Sequence, residues 1–85
     1  MNKKIYKIYK RLSEDKYSYL PKLIPIKEVI SNMVELGYKE DEVKDAIYRS
    51  WLEGEIHFEM GDKKENYFEV PSGTKYYYMK FNKEV

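Results

Sequence analysis

Hydrophobic and polar positions repeat with two different periods along this chain, and the period changes at Gly54. Ile5, Ile8 and Leu12 recur at i, i+3 and i+7, with Tyr9 beside them and lysines between, which predicts a helix that stops near Ser13-Glu14-Asp15. The following Tyr19-Leu20-Pro21-Lys22-Leu23-Ile24-Pro25-Ile26 holds two prolines, and proline in a helix interior removes a hydrogen bond and clashes with the preceding turn. An extended connector with a two- or three-residue edge strand is expected there. Ile26, Val29, Ile30 and Met33 line one face of a second predicted helix, roughly Lys27 to Leu36, and Gly37 stands where a left-handed C-terminal cap belongs. A third helix is expected from about Glu40 to Glu53. Val43, Ala46, Ile47, Ser50 and Trp51 form its inward face, and Gly54 closes it. Its first turn carries Glu40, Asp41 and Glu42, which complement the positive end of the helix dipole.

Beyond Gly54 the period is two. Ile56, Phe58 and Met60 alternate with His57 and Glu59, the pattern of a half-buried strand. Gly61-Asp62-Lys63-Lys64-Glu65-Asn66 reads as a polar turn, Tyr67-Phe68-Glu69-Val70 as a second strand or part of a long loop, and Pro71-Ser72-Gly73-Thr74 as a second turn. Lys75 to Phe81 is a β-prone run. As one strand it places Tyr77, Met79 and Phe81 on the core face, with Tyr76, Tyr78 and Lys80 on the other. The expected class is therefore α+β: three helices followed by a two- or three-stranded antiparallel ribbon in one domain spanning 1–85.

Composition narrows the function. Eighty-five residues supply one modest core and little material for a deep, water-excluding cleft. Ten of the residues are Tyr, rings that bury area while keeping a hydroxyl at the rim. With no Cys, disulfides, thiolate metal sites and thiol nucleophiles are excluded, which fits an intracellular protein. The longest apolar run is Tyr76-Tyr77-Tyr78-Met79, too short for a signal peptide or spanning helix, so a cytoplasmic protein with no membrane association is expected. Charged residues reach 36%, mostly Lys and Glu, and Gln is absent, a balance reported for hyperthermophile proteins. The net charge of +1 hides an asymmetry, because residues 1–37 carry +4 and residues 38–85 carry −3. Any binding to a charged partner must use local patches.

The order of elements resembles the winged helix-turn-helix family. The likeness is carried by Ile26-Lys27-Glu28-Val29-Ile30, by Gly37-Tyr38, by Val43-Lys44-Asp45-Ala46-Ile47 and by Glu53-Gly54-Glu55-Ile56-His57-Phe58. It covers nearly the whole chain as a pattern of residue types. Val43 to Phe58 is also similar to the winged-helix domains at the C-terminus of archaeal replicative helicases. The resemblance implies second and third helices packed at an angle across a short turn, and a strand leading from the third helix into a wing. Two positions depart from the pattern. Ser50 stands where the family usually has Leu, with Trp51 expected to supply the volume. Lys39 stands at the cap position, where a Ser or Thr would accept a hydrogen bond.

Catalytic signals are nearly nil, and no enzyme activity, cofactor, metal site or small-molecule substrate is expected. His57 is the only His, with nothing to complete a dyad through Ser50 or Ser72, and Asp62-Lys63-Lys64-Glu65 lacks the alternating oxygens of a calcium loop. For a winged helix, the third helix enters the major groove of duplex DNA and the wing contacts backbone. The face opposite Val43, Ala46 and Ile47 presents Asp41, Lys44, Asp45, Tyr48 and Leu52, with Arg49 on its flank. Lys44, Tyr48 and Arg49 suit base-edge or phosphate contacts, as do Lys63 and Lys64 at the wing tip and Lys75 beyond it. Asp41 and Asp45 repel phosphate, which shifts weight to the wing. The expectation is a DNA-binding protein of transcription or replication control. The alternative is a docking module that binds a protein through Tyr48 and Leu52, an apolar pair rimmed by charge. A homodimer formed through Tyr6 and Tyr9 of the first helix is a further implication of the resemblance. Tyr76 and Tyr78 are expected to be cross-strand surface residues, not base-stacking platforms.

Overall fold

The computed structural model describes residues 1–15, 23–61 and 65–83, with Asp15 as backbone only. Its elements in chain order are α1 (Asn2–Asp15), β1 (Ile24–Pro25), α2 (Ile26–Glu35), α3 (Glu40–Leu52), β2 (Ile56–Glu59), β3 (Phe68–Glu69), β4 (Lys75–Tyr76) and β5 (Tyr78–Phe81). The fold is α+β, with three helices and two antiparallel sheets. No helix among the described residues is long and apolar enough to cross a membrane.

The three helices form where the 3.6-residue period places apolar side chains on one stripe. Ile5, Ile8, Tyr9 and Leu12 of α1, Ile26, Val29, Ile30 and Met33 of α2, and Val43 and Ile47 of α3 are all buried in one core. Both glycines after α2 and α3 terminate their helices by the same device. Gly37 (φ 103°) donates to the Val34 carbonyl and Tyr38 to the Met33 carbonyl. Gly54 (φ 83°) donates to the Trp51 carbonyl and Glu55 to the Ser50 carbonyl. These paired bonds satisfy carbonyls that the helix end leaves open, and the left-handed residue they require is favourable for glycine. Lys39 makes no side-chain cap at the start of α3, as its chemistry dictates.

The sheet departs from a ribbon that simply follows the helices. Its strand order is β1-β5-β2, so one edge comes from the two-residue segment before α2. Ile24 pairs with Met79 and Pro25 with Tyr78, while Phe58 pairs with Met79 and Ile56 with Phe81 from the other side. Pro25 is tolerated because an edge strand can lack one ladder donor. The Ile26 N–H, one of the first in α2, donates to the Tyr77 carbonyl at 2.8 Å, joining sheet and helix without a side-chain cap.

The run from Lys75 to Phe81 is two strands, not one. β4 pairs with β3 in a separate two-stranded sheet, Phe68 opposite Tyr76. Tyr77 then breaks the ladder, sending its N–H to the Glu59 carbonyl and its own carbonyl to Ile26. The break shifts which side chains face the core. Tyr77 is only half-buried, whereas Tyr76, expected at the surface, packs on Trp51 (5.5 Å) and Phe58 (5.2 Å). Met60, expected to continue the inward face of β2, lies past its end and is 65% exposed.

Trp51 is partly buried and packs against the core, beside the buried Ser50. Its indole stacks on Phe58 at 5.0 Å and an interplanar angle of 15°, and Phe58 meets Phe68 edge-on at 5.6 Å. This aromatic cluster holds the β3–β4 hairpin against the C-terminal end of α3. A second cluster, Tyr6, Tyr9 and Phe81, seats α1 on β5.

Candidate functional site

The residues expected to meet a charged partner come from α3 and the strands that follow it. Lys44, Tyr48 and Arg49 share α3, but none is an unengaged probe. The Lys44 ammonium lies 3.0 Å from a Glu40 carboxylate oxygen, and Arg49 Nε lies 2.7 Å from Asp45 Oδ2. Both pairs are four residues apart with the acid N-terminal, the favourable orientation on a helix. The hydrogen bond and charge of Lys44 hold the Glu40 carboxyl below its ordinary value. Tyr48 is half-buried, its ring 5.9 Å from that of Trp51. Leu52, by contrast, stands 62% exposed at the helix end.

On the hairpin, Lys75 is exposed and its ammonium sits 4.5 Å above the Tyr67 ring, a cation–π contact. Lys63 and Lys64 lie outside the described residues. The aromatic cluster of Trp51, Phe58 and Tyr76 thus ties the C-terminal end of α3 to the strand that carries Lys75.

Two features were not anticipated. Lys27, at the start of α2, lies close enough to Lys44 for the two ammonium groups to feel each other across the α2–α3 interface. Partial burial lowers its pKa first, and the like charge of Lys44 lowers it further. Lys27 thus adds a second cation near the Glu40–Lys44 pair, which no local sequence pattern could reveal because the two helices meet only in the fold. The second feature is the outer face of α1. Lys3, Lys4, Lys7 and Arg11 are exposed there, and Lys10 is half-exposed. A helical wheel of residues 1–15 would have found it.

One expected role, the contact through Tyr6 and Tyr9, meets a different environment. Tyr9 is buried to 3% exposure and Tyr6 packs edge-on against Phe81 at 5.1 Å, so the proposed dimer contact through these rings would have to disrupt the core. Burial raises the Tyr9 phenol pKa, the expected penalty on its charged form. His57 lies exposed on β2 with Nε2 2.8 Å from Glu59 Oε1. Ser50 is buried at 2% exposure, and the Ser72 hydroxyl is 3.4 Å from that of Thr74. Among the described residues, no group of three or more acidic or histidine side chains could hold a metal ion.

No protein-family model matches the chain, and neither a curated protein nor a solved structure matches it.

Proposed function

We propose that the chain is a winged helix-turn-helix domain that binds duplex DNA through α3 and the β-ribbon. The observation that carries this reading is the strand order β1-β5-β2 combined with the order of elements. A short strand between the first two helices completes the sheet, and the ribbon leaves it directly after α3. On this reading α3 is the groove-facing helix and the strands after it carry the wing. Lys44, Tyr48 and Arg49 are the α3 contacts, and Lys63, Lys64 and Lys75 contact phosphate from the wing. Glu40 and Asp45 compete with phosphate for Lys44 and Arg49. Binding therefore exchanges two intrahelical pairs for two phosphate pairs, and α3 alone is a weak probe.

The test is a duplex titration followed by fluorescence anisotropy across a range of salt. Phosphate contacts release counterions, so log affinity falls linearly with log salt by about 0.9 per contact. Lys63→Ala/Lys64→Ala should flatten that slope by roughly 1.8. Absence of duplex binding at low salt would sink the reading. The exposed Leu52 next to half-buried Tyr48 favours protein docking as the second reading, and a null titration would leave that one standing.

A further inference from the structure

From the outer face of α1 we infer a surface that binds the phosphate backbone of duplex DNA without reading sequence. The inference rests on the DNA-binding reading for its choice of polyanion, but it does not depend on α3. Lys3, Lys4, Lys7, Lys10 and Arg11 fall within about a third of the helix circumference at 3.6 residues per turn. They lie opposite Ile5, Ile8, Tyr9 and Leu12, which are buried. From Lys3 to Arg11 they span about 12 Å of helix axis, at 1.5 Å per residue. Duplex DNA presents one negative charge per roughly 1.7 Å of its own axis, so a row of this density meets several phosphates at once.

What distinguishes this row is the lack of competing acid. Residues 1–13 contain no Asp or Glu. Among the described residues, Lys3, Lys4 and Lys7 have no carboxylate within ion-pair distance. Lys10 reaches Glu14 only at 3.9 Å, an exposed pair of small worth. Arg11 donates to the neutral Asn32 side-chain oxygen at 3.1 Å, which steadies the guanidinium against α2, and it makes no ion pair with a carboxylate among the described residues.

Other polyanions fit less well. A helix that lies on an anionic membrane inserts a free apolar face, and the apolar face of α1 is committed to the core. An acidic protein partner would need aromatic or aliphatic anchors, and no large apolar side chain interrupts the cationic arc. A single strand would need open rings for stacking, whereas Tyr6 and Tyr9 are packed against Phe81. A shallow groove between α1 and α3 is lined by Met1, Asn2, Glu42, Asp45, Arg49 and Glu53. Its acids set the track on α1 apart from the surface of α3.

The test compares the whole chain with Lys3→Gln/Lys4→Gln/Lys7→Gln, three changes that remove charge and keep helix-compatible side chains. A mixed-sequence DNA duplex and vesicles rich in phosphatidylserine serve as probes, each titrated across salt. The triple variant should keep the wild-type melting temperature and lose roughly 2.7 from the salt slope on duplex. Wild-type affinity and slope in the triple variant, with Lys63→Ala/Lys64→Ala still weakening binding, would overturn the α1 surface alone. Loss in the triple variant with no effect of the wing variant would support the α1 surface and overturn the wing contacts. A wild type that binds vesicles but not duplex would overturn the nucleic-acid assignment, and one that binds neither would overturn both readings.

Discussion

α1 and α3 are helices of similar length, 14 and 13 residues, and both bury an apolar stripe in the same core. They use charge in opposite ways. On α3, Lys44 and Arg49 each have an acid one turn earlier, so the helix neutralises its own cations and remains acidic. On α1, five cations share one face before the first acid, Glu14. The comparison teaches that cations must be counted with their partners. The helix proposed to enter a groove is electrostatically closed, and the helix outside that proposal carries the open charge.

The comparison first requires that α1 be as firmly part of the domain as α3. Ile8 of α1 is 3% exposed and Ile47 of α3 is 0% exposed. Truncating a buried Ile to Ala removes its transfer energy and leaves a cavity, at a cost of about 2–5 kcal/mol. Ile8→Ala and Ile47→Ala should therefore fall in the same range in denaturant melts, a lowering of Tm by about 4–8 °C per kcal/mol for a chain this size. If Ile8→Ala cost well under about 1 kcal/mol, α1 would be a loosely held appendage, and its fixed cationic face would lose its footing.

Removing its acids should open the closed helix. Glu40→Gln/Asp45→Asn removes the carboxylates that hold Lys44 and Arg49. Relieved of those acids, Lys44 and Arg49 should reach phosphate without first breaking an intrahelical pair, raising affinity for duplex DNA several-fold at low salt. The same measurement on Glu14→Gln should change little, because Lys10 is scarcely engaged by Glu14 at 3.9 Å. Equal responses from the two variants would erase the contrast between the helices. No response from the α3 variant would move that helix out of the interface.

Much of this contrast was legible in the sequence, because it is local. The 3.6-residue periods identified all three helices, and Gly37 and Gly54 fell at left-handed caps. The pairs Glu40–Lys44 and Asp45–Arg49 also follow from i, i+4 spacing, although Asp45 reads from the sequence only as a repulsive acid and Glu40 only as a partner of the helix dipole. What escaped depends on distant segments meeting. The short edge strand at Ile24-Pro25 is expected, but its pairing with β5 is not, and Tyr76 packs inward only because the ladder breaks at Tyr77. A strict alternation from Lys75 to Phe81 cannot contain that break, so it puts Tyr76 at the surface and Tyr77 in the core where both are half-buried. Lys27 joined Lys44 through the α2–α3 interface, which local reading does not reach.

The smallest effect isolates one of the α3 pairs by pH. Lys44 holds the folded-state pKa of Glu40 below its ordinary 4.5, chiefly through their hydrogen bond and then through charge. A carboxyl whose folded pKa is depressed contributes stability that is fully present above the unfolded value and is lost as pH falls through the folded one. The Tm difference between wild type and Glu40→Gln should therefore be constant above about pH 4.5 and shrink as the solution is acidified further. Lys7→Gln on α1 removes a cation without a carboxylate partner among the described residues, and its Tm difference should show no step tied to such a pair in that window. A flat profile for Glu40→Gln would mean that the pair is not formed in solution. Lys44 would then be as open as the lysines of α1, and the contrast between the two helices would rest on Arg49 and Asp45 alone.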